Sequence, residues 1–131
     1  MNFKIKSSIS NTEYLNSENN IVSFKSNNEE WTITSINTDN SIYVISNHDN
    51  KYLYFDGTIN MVLLKDLNDS EIEKFLWIIE PVGFNIYNVR SAKYRDFIWY
   101  VYDSNNSILN QPLMLTQDIK IQSKNIQFNI E

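Results

Sequence analysis

Apolar and polar residues alternate along most of the chain, and the apolar positions are dominated by β-branched and aromatic types. Both features predict short, half-buried strands. Clusters of turn-forming residues interrupt the alternation at short intervals: Ser10-Asn11-Thr12, Ser26-Asn27-Asn28, Asn37-Thr38-Asp39-Asn40, Asn47-His48-Asp49-Asn50 and Asp103-Ser104-Asn105-Asn106. Their spacing predicts about a dozen strands joined as hairpins. One helical turn is expected at Asp69-Ser70-Glu71-Ile72-Glu73-Lys74, where capping residues precede an acidic first turn.

Self-comparison of the chain finds four signatures, each present three times in the same order. The first reads Phe3-x-Ile5-x-Ser7, Ile42-x-Val44-x-Ser46 and Tyr87-x-Val89-x-Ser91. The second is Tyr14-Leu15, Tyr52-Leu53 and Tyr100-Val101. The third is Val22-Ser23-Phe24, Val62-Leu63-Leu64 and Leu113-Met114-Leu115. The fourth is Trp31-x-Ile33, Trp77-x-Ile79 and Phe128-x-Ile130. Four strands in each of three repeats give twelve, and the fold class expected is all-β, a β-trefoil with three pseudo-symmetric repeats. The repeats run roughly over 1–38, 39–82 and 83–131 of one domain, because a unit of about 40 residues cannot bury its own apolar face. Trp31, Trp77 and Phe128 are expected to meet near the pseudo-threefold axis, each contributing about 3 kcal/mol through burial. A generic β-sandwich is the alternative architecture.

Composition narrows the function. The chain has 131 residues, 42% of them hydrophobic, which suits one folded core. The abundance of Asn and Ile has a bland source in AT-rich codon usage and carries no functional weight. The net charge is −5, and the basic residues are scattered, so neither a phosphate backbone nor an anionic membrane surface finds a positive stripe. No cysteine is present, and the fold is expected to need no disulfide. The segment Met1 to Lys6 alternates like a strand and not like a signal-peptide core, and no apolar run reaches membrane-spanning length. Neither a signal peptide nor membrane insertion is therefore expected, and an export route is not visible.

Catalytic chemistry finds little support. His48 is the one histidine; it falls in a turn, and without cysteine it cannot build a common zinc site. No nucleophile-elbow motif accompanies it, and Gly57 and Gly83 alone cannot form a phosphate-cradling loop. A carboxylate pair at glycosidase spacing stays open, although no cluster stands out. Asp49, Asp56 and Asn105-Asn106 allow a weak cation site, but Asx turns holding hairpins explain them better. A non-enzymatic protein without cofactor or metal is expected.

A binding surface remains. Aromatic residues make up 14% of the chain, with eight Tyr and three Trp. In Tyr94 to Tyr102 alternation can bury only one face. If Val101 points inward, Phe97 and Trp99 share its side, while Ile98, Tyr100 and Tyr102 face the other. Tyr52 to Phe55 poses the same problem. Exposed Tyr, Trp and Arg are frequent interface anchors, and aromatic faces beside Asn and Asp suit sugars. Tyr94, Phe97, Trp99, Tyr100 and Tyr102 are the candidate partner-binding residues.

The stretch WYVYDSNNSILNQPLML, from Trp99 to Leu115, resembles the family of the smallest subunit of clostridial neurotoxin-associated hemagglutinin complexes. Phe3 to Ser7, Tyr14 to Asn16, Asn50 to Leu53 and Phe128 to Glu131 extend the similarity over essentially the whole chain. The resemblance implies a ricin-B-like trefoil. It also implies an adaptor that links a galactose-binding trefoil lectin subunit to a larger multimeric hemagglutinin subunit, in a secreted complex that adheres to gut epithelium. Host glycans are possible further partners. Sugar-binding ricin-type repeats carry Gln-x-Trp, usually preceded by Asn. Here the repeats read Asn28-Glu29-Glu30-Trp31, Lys74-Phe75-Leu76-Trp77 and Asn125-Ile126-Gln127-Phe128, and none keeps that Gln. A carboxylate accepts hydrogen bonds but cannot donate them as an amide does. The residual carbohydrate pocket is therefore expected in the first repeat, around Asn28. A free-standing lectin is the main alternative function, and a trefoil protease inhibitor with a rigid exposed loop a lesser one.

Overall fold

The computed structural model describes residues 1–37, 41–105, 107–117 and 123–131. The turn expected at Asn37 to Asn40 and residue Asn106 thus lie wholly or partly outside the described residues. Among the described residues thirteen strands are present: β1 (Asn2–Phe3), β2 (Ile5–Ser7), β3 (Tyr14–Glu18), β4 (Ile21–Lys25), β5 (Trp31–Asn37), β6 (Ile42–Ser46), β7 (Tyr52–Tyr54), β8 (Leu63–Lys65), β9 (Trp77–Gly83), β10 (Ile86–Ser91), β11 (Ile98–Tyr100), β12 (Met114–Thr116) and β13 (Phe128–Ile130). The count exceeds twelve because the first expected strand is interrupted at Lys4, leaving β1 and β2 as two short pieces.

Pairing follows one rule three times. β6 pairs with β5, β7 and β9, and β10 pairs with β9, β11 and β13. β1 and β2 share the same task, since β1 pairs with β5 while β2 pairs with β3 and β13. The strands β1, β5, β6, β9, β10, β13 and β2 therefore close a ring and leave no free edge within it. The remaining strands form the hairpins β3–β4, β7–β8 and β11–β12. These hairpins are tied to one another by a cycle of backbone bonds: Phe24 N to Gln111 O (3.0 Å), Leu115 N to Asn60 O (3.1 Å) and Leu64 N to Asn20 O (2.9 Å).

The register corrects two of the sequence alignments. Phe128 pairs with Ser7, Trp77 with Ser91, and Ile33 with Ile45. The counterpart of Ile5 and Val89 is therefore Ile45, not Val44, and the repeated unit in β6 reads Tyr43-x-Ile45-x-Asn47. A one-residue slip exchanges the two faces of a strand. Val44 accordingly leaves the main core and packs with Tyr54 and Phe75 in a second cluster. Apolar residues on both faces of Ile42–Ile45 made either register acceptable to the pattern. Similarly, Lys6 pairs with Tyr14, Ser46 with Tyr52 and Arg90 with Ile98. The third member of the Tyr-Leu set is thus Ile98-Trp99 and not Tyr100-Val101. That two-residue slip preserves the face, so Trp99 and Val101 both point inward.

Ser7, Asn47 and Ser91 fill one equivalent position and do one job. Each is buried, and each side-chain oxygen accepts a backbone N–H of the turn that follows, from Ile9, Asp49 and Tyr94 respectively, all at 3.0 Å. The expected helical turn is a 3₁₀ helix, Asp69–Phe75, capped by Asn68, whose side chain accepts Ser70 N. A second 3₁₀ helix, Ser123–Ile126, was not signalled by the periodicity.

Trp31, Trp77 and Phe128 are fully buried in the main core. Ring contacts there run Trp77–Trp99 (5.4 Å), Trp99–Phe128 (5.7 Å) and Phe128–Phe24 (6.2 Å), so Trp99 stands between Trp77 and Phe128 where direct contact was expected. Trp31 and Trp77 also donate their indole N–H to the carbonyls of Leu15 (2.9 Å) and Leu53 (3.2 Å). Trp31→Ala and Trp77→Ala should each cost about 3–5 kcal/mol in urea unfolding, through lost burial and a lost buried acceptor partner.

In the second cluster, Tyr54 donates its hydroxyl to Glu71 Oε2 at 2.8 Å. Burial, this hydrogen bond and the adjacent carboxylate push the phenol up to about 12. A raised value favours the neutral form in the folded state, so this contribution to stability is complete below about pH 10 and lost as pH rises towards 12. Absorbance titration of the phenolates should show one late tyrosine, and Glu71→Ala should move it earlier.

Candidate functional site

The five aromatic residues expected to form one patch are separated by the fold. Trp99 is 0% exposed, because alternation on β11 turns it to the axis beside Trp77, and it cannot serve as a surface anchor. Tyr94 and Phe97 are half-buried and pack on Phe55 at ring distances of 5.6 and 5.1 Å. The Tyr94 ring also lies against Gly57, where φ is +87° and an added Cβ would stand 2.8 Å from the ring. Only glycine fits that close approach with that backbone conformation. Tyr100 is half-buried on the opposite face of β11, and Tyr102 is 58% exposed just beyond it. Tyr102 is thus the one aromatic of the five that is largely in solvent.

Asn28 is exposed and belongs to an open polar cleft of about 510 Å³. Asn16, Ser17, Glu29, Asn47 and His48 form much of its lining. Glu29 is held by the end of β3: Oε1 accepts Ser17 N and Oε2 accepts Ser17 Oγ, both at 2.7 Å. Asn47 Nδ2 supports the same hydroxyl at 3.2 Å. Asn16 and Asn27 are locked together, with Asn16 Nδ2 donating to Asn27 O and Asn27 Nδ2 donating back to Asn16 Oδ1. His48 lies above this network, its Nδ1 3.7 Å from Glu29 Oε2 and its Nε2 3.5 Å from Asp49 Oδ2. The network is rich in acceptors, and the exposed Asn28 lines the cleft beside it.

Among the described residues, the other two repeats carry no equivalent of the Asn16 and Glu29 polar pair. The residues equivalent to Asn16 are Tyr54 and Tyr100, each following the core residue Leu53 or Trp99. Those equivalent to Glu29 are Phe75 and Ile126, each two places before the fourth-strand aromatic. In the second repeat the Tyr54 and Phe75 rings meet at 4.9 Å, so apolar packing replaces the polar pair.

For metal chemistry, no group of three or more His, Cys, Asp or Glu among the described residues is arranged to hold an ion. Asp56 instead accepts Thr58 N and Oγ in an Asx turn. No helix among the described residues is long and apolar enough to cross a membrane.

Sequence reasoning missed the most exposed aromatic residue of the described chain. Phe84 is 90% exposed at the tip of the β9–β10 hairpin. Gly83 pairs with Ile86, so Phe84 and Asn85 make the turn, with Asn85 at φ +57°. The run Pro81-Val82-Gly83-Phe84-Asn85 carried the signal, a large aromatic set between two turn formers. Equivalent backbone bonds place this tip beside two others: Ile33 N to Met1 O, Ile79 N to Ser41 O and Ile130 N to Asn85 O. At this end of the ring Met1, Ile36 and Val82 are exposed as well.

Comparison with known proteins agrees with this geometry. A family model described as the Clostridium botulinum HA-17 domain matches residues 1–131. "Hemagglutinin component HA-17 type D", from Clostridium botulinum D phage, is 28% identical over 139 residues, covering 99% of this chain and 91% of the relative. Among solved structures, the designed 3-fold symmetric protein ThreeFoil superimposes with a TM-score of 0.77 at 14% identity, over 98% of this chain and 96% of that one. The Polyporus squamosus lectin, solved bound to Neu5Aca2-6Galb1-4GlcNAc, gives a TM-score of 0.77 at 15% identity, over 98% of this chain and 48% of that one. At such identities the structural likeness speaks for fold alone.

Proposed function

Because the chain belongs to the Clostridium botulinum HA-17 domain family of hemagglutinin components, we propose that it acts by binding and not by catalysis, as an adaptor that joins a galactose-binding trefoil lectin subunit to a larger multimeric subunit of an extracellular, toxin-associated complex. The fold is read as a β-trefoil of twelve strands, with β1 and β2 counted as one, and with repeats at roughly 1–38, 39–82 and 83–131.

The observation that carries the adaptor reading is the distribution of exposed apolar side chains. An adaptor needs two separate contact surfaces. One end of the strand ring exposes Met1, Ile36, Val82 and Phe84. The hairpin side exposes Ile21, Ile59, Tyr102 and Leu109. Apart from Leu67, the exposed large apolar groups of the described residues fall at these two places, and such groupings are a mark of interaction sites. Tyr102, with the flanking Tyr100, belongs to the second surface; Tyr94 and Phe97 would contribute only their rims.

A second reading is favoured by the cleft around Asn28, where a polar network stands in place of the apolar packing found at the equivalent positions of the second repeat. It would make the chain a weak carbohydrate binder, with Asn28 donating to a sugar hydroxyl.

Co-expression with the other hemagglutinin subunits, followed by light scattering on the sized complex, is expected to give a particle containing all three components. A chain that stays monomeric beside both subunits would overturn the adaptor. A glycan array distinguishes the second reading: clear binding that disappears in Asn28→Ala would establish it, and an empty array would remove it.

A further inference from the structure

The chain has only two arginines, Arg90 and Arg95, against nine lysines, and both line the same cleft. That cleft, about 550 Å³, is bounded by Ile78, Glu80 and Arg90 of the β9–β10 hairpin and by Arg95 of the loop after β10. The two guanidinium groups are held in place. Arg90 Nε donates to Glu80 Oε1 at 2.9 Å and its Nη1 to Arg95 O at 3.1 Å. Arg95 Nε donates to Ala92 O at 3.2 Å. Among the described residues this leaves Arg90 Nη2 and both terminal nitrogens of Arg95 without a partner. Glu80 balances one of the two positive charges, so the cleft carries a surplus cation on a chain of net charge −5. Asp96, the neighbouring anion, is exposed, and Lys93 is paired with Glu73 at 3.8 Å.

A fixed guanidinium with a free fork fits a carboxylate in a way that a lysine does not. Beyond the cleft the hairpin bulges at Val82, which is exposed, and Phe84 is exposed at the tip. We infer that the outer side of the β9–β10 hairpin, with the adjoining loop that carries Arg95, is a protein-docking surface, on which Phe84 enters an apolar pocket of a partner subunit while Arg95, supported by Arg90, binds a carboxylate at a second, separate point on the same partner. This inference rests on the adaptor reading and specifies one of its two contacts.

Size decides between a protein and a sugar acid as the occupant. Phe84 lies just past the end of β9, six residues from Ile78, a span of up to about 20 Å at 3.3 Å per residue. A monosaccharide reaches the arginine cleft but not the ring. A protein face of about 800 Å² spans both. An aromatic and an arginine with a free fork are also the residue types enriched among interface anchors.

The test uses the full chain and each of the two purified hemagglutinin subunits, with affinity measured by calorimetry at two salt concentrations. Phe84→Ala and Arg95→Ala should each weaken binding to one subunit at least about tenfold. Arg95→Lys should recover only part of that loss, and Arg95→Ala should flatten the salt dependence. Both side chains are exposed, so melting temperatures should match the parent chain, which separates lost contacts from lost folding. If the parent chain binds its partners and both variants bind within twofold of it, the docking surface is wrong while the adaptor stands. If the parent chain binds neither subunit, the adaptor reading fails and this inference with it. Loss of binding to a sialylated or sulfated glycan in Arg95→Ala, with subunit binding intact, would assign the cleft to a sugar acid and overturn the protein partner.

Discussion

Closure of the strand ring is the constraint from which the remaining structure follows. Each first strand must pair with the fourth strand of its own repeat and with that of the repeat before it, so no repeat has a complete set of hydrogen bonds alone. The three hairpins obey a similar rule through the bonds that pass from Phe24 to Gln111, from Leu115 to Asn60 and from Leu64 to Asn20. A backbone amide left without a partner inside such a structure would cost roughly 1–3 kcal/mol. The chain therefore has strong reason to keep the main-chain geometry threefold, whatever the side chains do.

Side chains are free to break that symmetry, and each repeat does so at a different place. Trp99 occupies the place held by Leu15 and Leu53, and its bulk separates Trp77 from Phe128. Tyr54 and Phe75 close the second-repeat equivalent of the polar cleft. Glu29 fixes the first-repeat cleft to β3 through Ser17. The β9–β10 hairpin carries Phe84 and Arg90, and the loop after it carries Arg95, a set with no match elsewhere in the sequence. A symmetric frame thus offers three equivalent positions of each kind, and one of each is altered.

Much of the fold was legible because strand alternation and recurring order are properties of the chain itself. The third and fourth signatures align in space as they align in sequence. The first and second slipped by one and two residues, because β6 is apolar on both faces and because Tyr100-Val101 imitates Tyr52-Leu53. Pattern cannot choose among such registers; the pairing partner does. The site was less legible. Trp99 looked like a surface residue because aromatic content says nothing about direction until the register is known. Phe84 escaped notice because a single aromatic in a turn makes no period. The expectation around Asn28 rested on the spacing Asn28-x-x-Trp31, which ties it to a core position, and Asn28 lies in an open first-repeat cleft.

The complete burial of Trp31, Trp77 and Trp99 in one cluster has a spectroscopic consequence. Indole emission from this chain originates entirely inside the core, with two of its three sources 5.4 Å apart. It is an internal gauge of whether the three repeats are assembled, and is blind to events at the surface where Phe84 and Tyr102 stand.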